Sequence, residues 1–281
     1  MSKLQGKVAL VTGGARGMGR SHALALAREG ADVVINDVCH NLSGVPYPLS
    51  TEKQLNDVVK EVSSLGGRAL GIKADVGKEP QVRRMIDKVI NKFGKLDILV
   101  NNAGVGSWGP FIKLTSADWD ACYNVDIKGT FLCSKYSLRH MMKQRYGKII
   151  NITGAYGVQG GPLVAHYGAM KAGIIAMTQT LALEFARYNI NANAVCPAIV
   201  NTEAYQFLLK KMYPRMNPKA AYEKVCKEKL LFQREITCED VSNAVVWLAS
   251  EETRNMSGEV VFVTAGAEKT IGQIKEKSDI V

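Results

Sequence analysis

Residues 7–19, KVALVTGGARGMG, carry the reading that decides the fold. The apolar and β-branched run VALVT reads as a buried strand; it breaks at Gly13-Gly14, and the helical spacing of SHALALAREG follows from residue 21. Gly13, Gly17 and Gly19 allow a tight turn, close approach of backbone to a pyrophosphate, and close packing of helix on strand. The helix start adds unpaired N–H groups and the positive end of its dipole. A glycine triplet alone is weak evidence, and its position between strand and helix is what makes Gly13, Arg16, Gly17, Met18 and Gly19 candidate dinucleotide contacts.

Outward from that turn, Val/Ile/Leu-rich runs recur: DVVIND, RALGIKADV, LDILVNNAG, KIINITG, INANAVCP and GEVVFVTAG. Longer stretches with helical spacing separate them, among them QVRRMIDKVINKFG, TFLCSKYSLRHMMKQ and HYGAMKAGIIAMTQTLALEFARY. Near-continuously apolar strands alternating with helices predict an α/β fold of the Rossmann type, doubly wound, with a mainly seven-stranded parallel sheet flanked by helices. The whole chain, 1–281, is expected to form one such domain, folded except at its end. The crevice should open at the carboxyl ends of the strands. Two segments break the rhythm: VCHNLSGVPYPLST after Asp37, expected beside the adenosine half of a cofactor, and residues 203–234, rich in lysine and aromatics, expected to be a substrate lid. Asp37 closes the second strand where the ribose-gripping acid belongs, and a carboxylate there accepts from a diol but repels a 2′-phosphate. NAD(H) is thereby favoured over NADP(H), with Arg16 in the same turn as the countervailing cation.

Composition bounds the rest. Apolar residues make up 47% and charged residues 22%, an ordinary globular balance. The formal charge of +10 is spread along helices rather than gathered in a block, which argues against a nucleic-acid partner and leaves an anionic substrate open. No apolar run nears the roughly 18 residues that cross a bilayer, and no signal peptide precedes the first strand, so a cytoplasmic protein without a membrane partner is expected. The six cysteines show no metal-ligand spacing; neither disulfides nor a metal are expected.

With these residues in view, the chain resembles the short-chain dehydrogenase/reductase family, classical type, over about residues 5 to 267. The matching motifs are TGGARGMG, Asp75-Val76, Asn101-Asn102-Ala103-Gly104, Tyr167-Gly168-Ala169-Met170-Lys171, and Cys196-Pro197 through Val200 to Thr202. The segment with VPYPL further resembles the carveol-dehydrogenase-like, mycofactocin-associated subgroup. The resemblance implies that Asp75 and Val76 border the adenine, that Asn102, Ala103 and Gly104 line the cofactor, that Pro197, Val200 and Thr202 lie beside the nicotinamide, and that Lys171 bonds its ribose.

The chemistry also follows from the residues. Tyr167 and Lys171, four apart on a helix, share a face. Alcohol oxidation needs a phenolate, so the phenol's pKa of about 10 must fall toward 7, about 4 kcal/mol at about 1.4 per unit. A neighbouring ammonium and the charged nicotinamide are the obvious sources. Two departures from the family pattern stand out. The serine that usually holds the substrate oxygen is replaced by Gly154, with Thr153 and Tyr156 as alternative donors; Asp126 stands where asparagine is usual, beside Lys171. The expected activity is an NAD(H)-dependent interconversion of a hydrophobic, cyclic secondary alcohol and its ketone, with Trp108, Tyr156, Tyr205 and Phe207 as pocket aromatics. The alternative is a catalytically weak NAD(H)-binding protein lacking the usual serine. Apolar faces on the helices near 115–145 and 167–187 suit the homotetramer contacts that the resemblance implies.

Overall fold

A computed structural model describes residues 2–267, so the last stretch of the expected 1–281 domain lies outside the described residues. Seven strands form one sheet: β1 (Val8–Thr12), β2 (Asp32–Asp37), β3 (Ala69–Lys73), β4 (Ile98–Asn101), β5 (Gly147–Ile152), β6 (Ile190–Pro197) and β7 (Val260–Val263). Their order is β3-β2-β1-β4-β5-β6-β7, every pairing parallel. The seven runs read as strands are the seven strands found. Along β1, Val8 and Leu10 enter one core cluster while Ala9 and Val11 enter the other, the alternation that a sheet covered on both faces imposes.

Helices α1 (Gly17–Arg28), α2 (Glu52–Ser63) and, later in the chain, α10 (Cys238–Ala249) cover one face. On the other lie α3 (Glu79–Phe93) and α5 (Lys128–Gln144), joined by α7 (Ala165–Phe185). Local signals set their ends. Thr51 with Gln54 and Thr237 with Asp240 form capping boxes, and Gly94, at φ 78°, stops α3. Chain order reverses between β1 and β4, which opens the crevice at their carboxyl ends.

Four further helices complete the site region: α4 (Ser116–Cys122), α6 (Tyr156–Gln159) and the pair α8 (Glu203–Met212) and α9 (Pro218–Lys229). Between α4 and α5 the helix widens into a π turn, Tyr123–Ile127, a device frequent at functional sites. The expected lid is thus two helices of different character. Ala221, Tyr222, Val225 and Cys226 anchor α9 in the core, and the Tyr222 hydroxyl donates to Ile199 O at 3.1 Å; α8 is the more loosely held of the two, with Leu208 and Leu209 as its buried residues. No helix among the described residues is long and apolar enough to cross a membrane.

Candidate active site

The glycine turn is built around a lack of side chains. Gly13 has φ +63°, and a Cβ there would lie 2.9 Å from Ala103 Cα; a Cβ on Gly19 would lie 2.0 Å from Gly13 O. The turn is tied to the end of β4: Asn102 Nδ2 donates to Thr12 O and Gly13 O at 2.9 and 3.1 Å, and Thr12 Oγ1 accepts from the N–H groups of Asn102 and Ala103. Asn36 Oδ1 and Asn102 Oδ1 are buried without a partner among the described residues, and both residues line the crevice. Such atoms call for a ligand or water. One cavity of about 600 Å³ runs from Gly13, Arg16, Gly17, Met18, Gly19 and Asp37, past Asp75, Val76, Asn102, Ala103 and Gly104, to Tyr167, Lys171, Pro197, Val200 and Thr202. Backbone close to a helix start, unpartnered amide oxygens and a carboxylate at the end of β2 fit a dinucleotide.

Asp37 and Arg16, expected to face that dinucleotide, are already engaged by the glycine turn and by the segment after β2. Asp37 accepts from Ala15 N at 3.0 Å, from Val38 N at 2.8 Å, and from the Ser50 hydroxyl. Arg16 donates to Pro48 O at 2.8 Å, so its guanidinium is held by the insert. Sequence reasoning placed this insert beside the adenosine; it missed Ser50 as the partner of Asp37.

At the other end of the cavity the Tyr167 hydroxyl has no partner among the described residues. Lys171 is buried, its Nζ 3.1 Å from Ile152 O, 3.0 Å from Asp126 Oδ1 and 5.3 Å from the centroid of the Tyr167 ring. Asp126 is fully buried in the π turn; its Oδ2 accepts from Val105 N at 2.9 Å, and its carbonyl accepts from Thr130 Oγ1 at 2.6 Å. Burial opposes charge on Lys171, but the Asp126 carboxylate outweighs it and holds the ammonium above its ordinary pKa. At Tyr167 three influences compete: burial pushes its pKa up, Lys171 pulls it down, and Asp126 works against Lys171. Burial outweighs the ammonium at this phenol, so the net direction is upward.

The missing serine leaves a defined space. A Cβ on Gly154 would lie 3.3 Å from the Tyr167 hydroxyl. Thr153 does not fill it, because its buried hydroxyl donates to Lys171 O at 2.8 Å. Tyr156 lines the cavity, 37% exposed, with its hydroxyl uncommitted among the described residues. Trp108, Tyr205, Leu208 and Met212 line the same end. Phe207 corrects the expectation set for it: it lies off this cavity and packs its ring 5.7 Å from that of Tyr47. Tyr47, buried and lining the cavity, was not singled out from sequence, although the two prolines around it in VPYPL fix its backbone. Among the described residues no cluster could hold a metal.

The pattern of short chain dehydrogenases matches residues 7–212. The (2S)-[(R)-hydroxy(phenyl)methyl]succinyl-CoA dehydrogenase subunit of Thauera aromatica is 35% identical, over 94% of this chain and 97% of that one. (-)-trans-Carveol dehydrogenase of Rhodococcus erythropolis is 34% identical over 95% and 99%. Among solved structures, carveol dehydrogenase from Mycobacterium avium in complex with NAD superposes with a TM-score of 0.91 at 30% identity, covering 95% of this chain and 99% of the other. A glycine turn at the switch point and a Tyr167/Lys171 pair across the crevice agree with that likeness, and the chain belongs to the short chain dehydrogenase family, in its carveol-dehydrogenase-like type.

Proposed function

We propose that the protein is an NAD(H)-dependent oxidoreductase that interconverts a hydrophobic, cyclic secondary alcohol and its ketone. The observation that carries this reading is the uncommitted Tyr167 hydroxyl, open to the cavity beside the buried Lys171–Asp126 pair. Asp37 at the end of β2 supports NAD(H) over its 2′-phosphorylated relative, and the NAD in the Mycobacterium avium neighbour supports the same choice. Apolar and aromatic side chains at the far end, Trp108, Tyr205, Leu208 and Met212, suit a ring without charge.

When bound, the nicotinamide supplies the hydride acceptor or donor and, in its oxidised form, a positive charge. Tyr167 holds or moves the proton: as a neutral phenol it donates to a ketone oxygen, and as a phenolate it takes the alcohol proton. Lys171 keeps its ammonium through Asp126 and Ile152 O, leaving one N–H for the cofactor ribose. Tyr156 is the donor best placed to share the substrate oxygen with Tyr167, since the Thr153 hydroxyl is taken. A protein of the cytoplasm fits six free cysteines. Exposed Trp119, Tyr123, Phe131 and Leu183, on α4, α5, α7 and the π turn, support a homotetramer.

The test is a screen of cyclic ketones with NADH and with NADPH. Turnover with NADH, at least about 100-fold better in kcat/KM than with NADPH, is expected from a carboxylate facing a 2′-phosphate. Gly154 favours one second reading, a catalytically weak NAD(H)-binding protein, because one oxyanion donor is worth about 10²- to 10³-fold in rate. Bound NADH with no turnover across the screen selects it.

A further inference from the structure

The segment between β2 and α2, residues 38–51, does not end at the adenosine side. Ser50 ties it to Asp37, Arg16 holds Pro48 O, and Asn41 Oδ1 accepts from Leu49 N at 2.9 Å, closing the loop on itself. Gly44 lies against α4 so closely that a Cβ would sit 2.3 Å from Ala117 O. A loop pinned at so many points is a built wall, and Tyr47 stands at its inner surface, 7% exposed.

Three contacts give Tyr47 its reach. Its hydroxyl accepts from Gly106 N at 3.2 Å, and Gly106 backs the catalytic ring, since a Cβ there would lie 3.3 Å from Tyr167 Cδ2. Its ring centroid is 6.4 Å from that of Trp108, a wall of the substrate end, at an interplanar angle of 41°. Phe207 of α8 also packs against it, at 5.7 Å and 54°. Tilted aromatic pairs at these separations are attractive beyond the area they bury.

Resting on the function proposed above, we propose that Tyr47 is a positioning and specificity residue of the reaction chamber: its hydroxyl holds residues 105–108 against Tyr167, and its ring seats α8. The insert then shapes the substrate end as well as the cofactor end, and α8 closes against it. Burial pushes the Tyr47 pKa up, so the hydroxyl remains a neutral group in this role.

Two variants separate hydroxyl from ring. Tyr47→Phe leaves the ring and orphans Gly106 N–H; kcat for a cyclic ketone should fall about tenfold with KM nearly unchanged. Tyr47→Ala should raise KM about tenfold and shift preference toward larger rings, and Phe207→Ala should reproduce that shift without adding to it in the double variant. Hydrogen exchange of α8 in the unliganded protein is read alongside: Tyr47→Ala should speed it at least about tenfold. Wild-type kcat in Tyr47→Phe overturns the role of the hydroxyl, and wild-type exchange of α8 in Tyr47→Ala overturns that of the ring. If the wild-type protein turns over no ketone, the proposed function fails, while the exchange measurement still judges the seating of α8.

Discussion

Gly154 and Asp126 are the two residues at which this chain departs from its family pattern, and each leads to a measurable consequence. A serine at 154 would place its Cβ 3.3 Å from the Tyr167 hydroxyl, close enough for its own hydroxyl to share the substrate oxygen after the ring yields by a few tenths of an ångström. Gly154→Ser should therefore raise ketone reduction by about tenfold or more, whereas Gly154→Ala, which adds the same Cβ without a donor, should not. Equal rates in both variants would mean that the space, not the donor, matters. Asp126 opposes the phenolate, so its removal lowers the pKa of Tyr167. In Asp126→Asn the rising limb of alcohol oxidation should move to lower pH by about one unit. A limb that stays put or moves up contradicts the opposition of Asp126 and Lys171. Both departures were visible as letters in the sequence. Their consequences were not, because the direction of the Thr153 hydroxyl and the 3.0 Å separation of Asp126 and Lys171 are tertiary facts.

Elements differ in how far local sequence specifies them. The β1 turn and α1 were legible because glycine spacing, the strand before and the helix after are all local, and the structure shows why the glycines are needed. Gly19→Ala would drive a Cβ to 2.0 Å from Gly13 O, a rigid side-chain atom against backbone. We expect the turn to open, NADH affinity measured by fluorescence titration to fall at least about 100-fold, and the melting temperature to drop. Wild-type affinity in a folded Gly19→Ala protein would refute the close packing. The π turn escaped the sequence because Tyr123–Ile127 has ordinary helical composition, and one extra residue in a turn leaves no periodic mark. The insert itself was legible, but its contacts toward the substrate end escaped for a different reason. Its partners lie far along the chain, Gly106 with Tyr47 and Ala117 with Gly44, and no local rule pairs them. Phe207 was misplaced by the same gap: its spacing marks α8 as helical, but nothing near it says that this face meets the insert.

At the scale of the whole molecule, the alternation of apolar strands and helices foretold a parallel sheet covered on both faces, since only a buried strand tolerates such runs. One buried group couples that packing to pH. His22 of α1 is fully buried against α10, its Nδ1 2.8 Å from Ser242 Oγ, and burial lowers its pKa to about 3. Native His22 is thus neutral where the unfolded chain, with a pKa near 6.5, takes up a proton. Its linkage is silent above about pH 6.5, and stability is lost as pH falls from there toward 3. Urea unfolding midpoints at about pH 7 and pH 5 should fall less for His22→Gln than for the wild type; parallel falls would contradict this. The central claim is that one phenol moves the proton beside a dinucleotide bound independently of it. It is tested most directly by single-turnover reduction of a cyclic ketone by NADH in Tyr167→Phe, with NADH binding measured on the same sample. The account predicts turnover reduced at least about 1,000-fold with NADH affinity within about threefold of wild type. Undiminished turnover in that variant would contradict it.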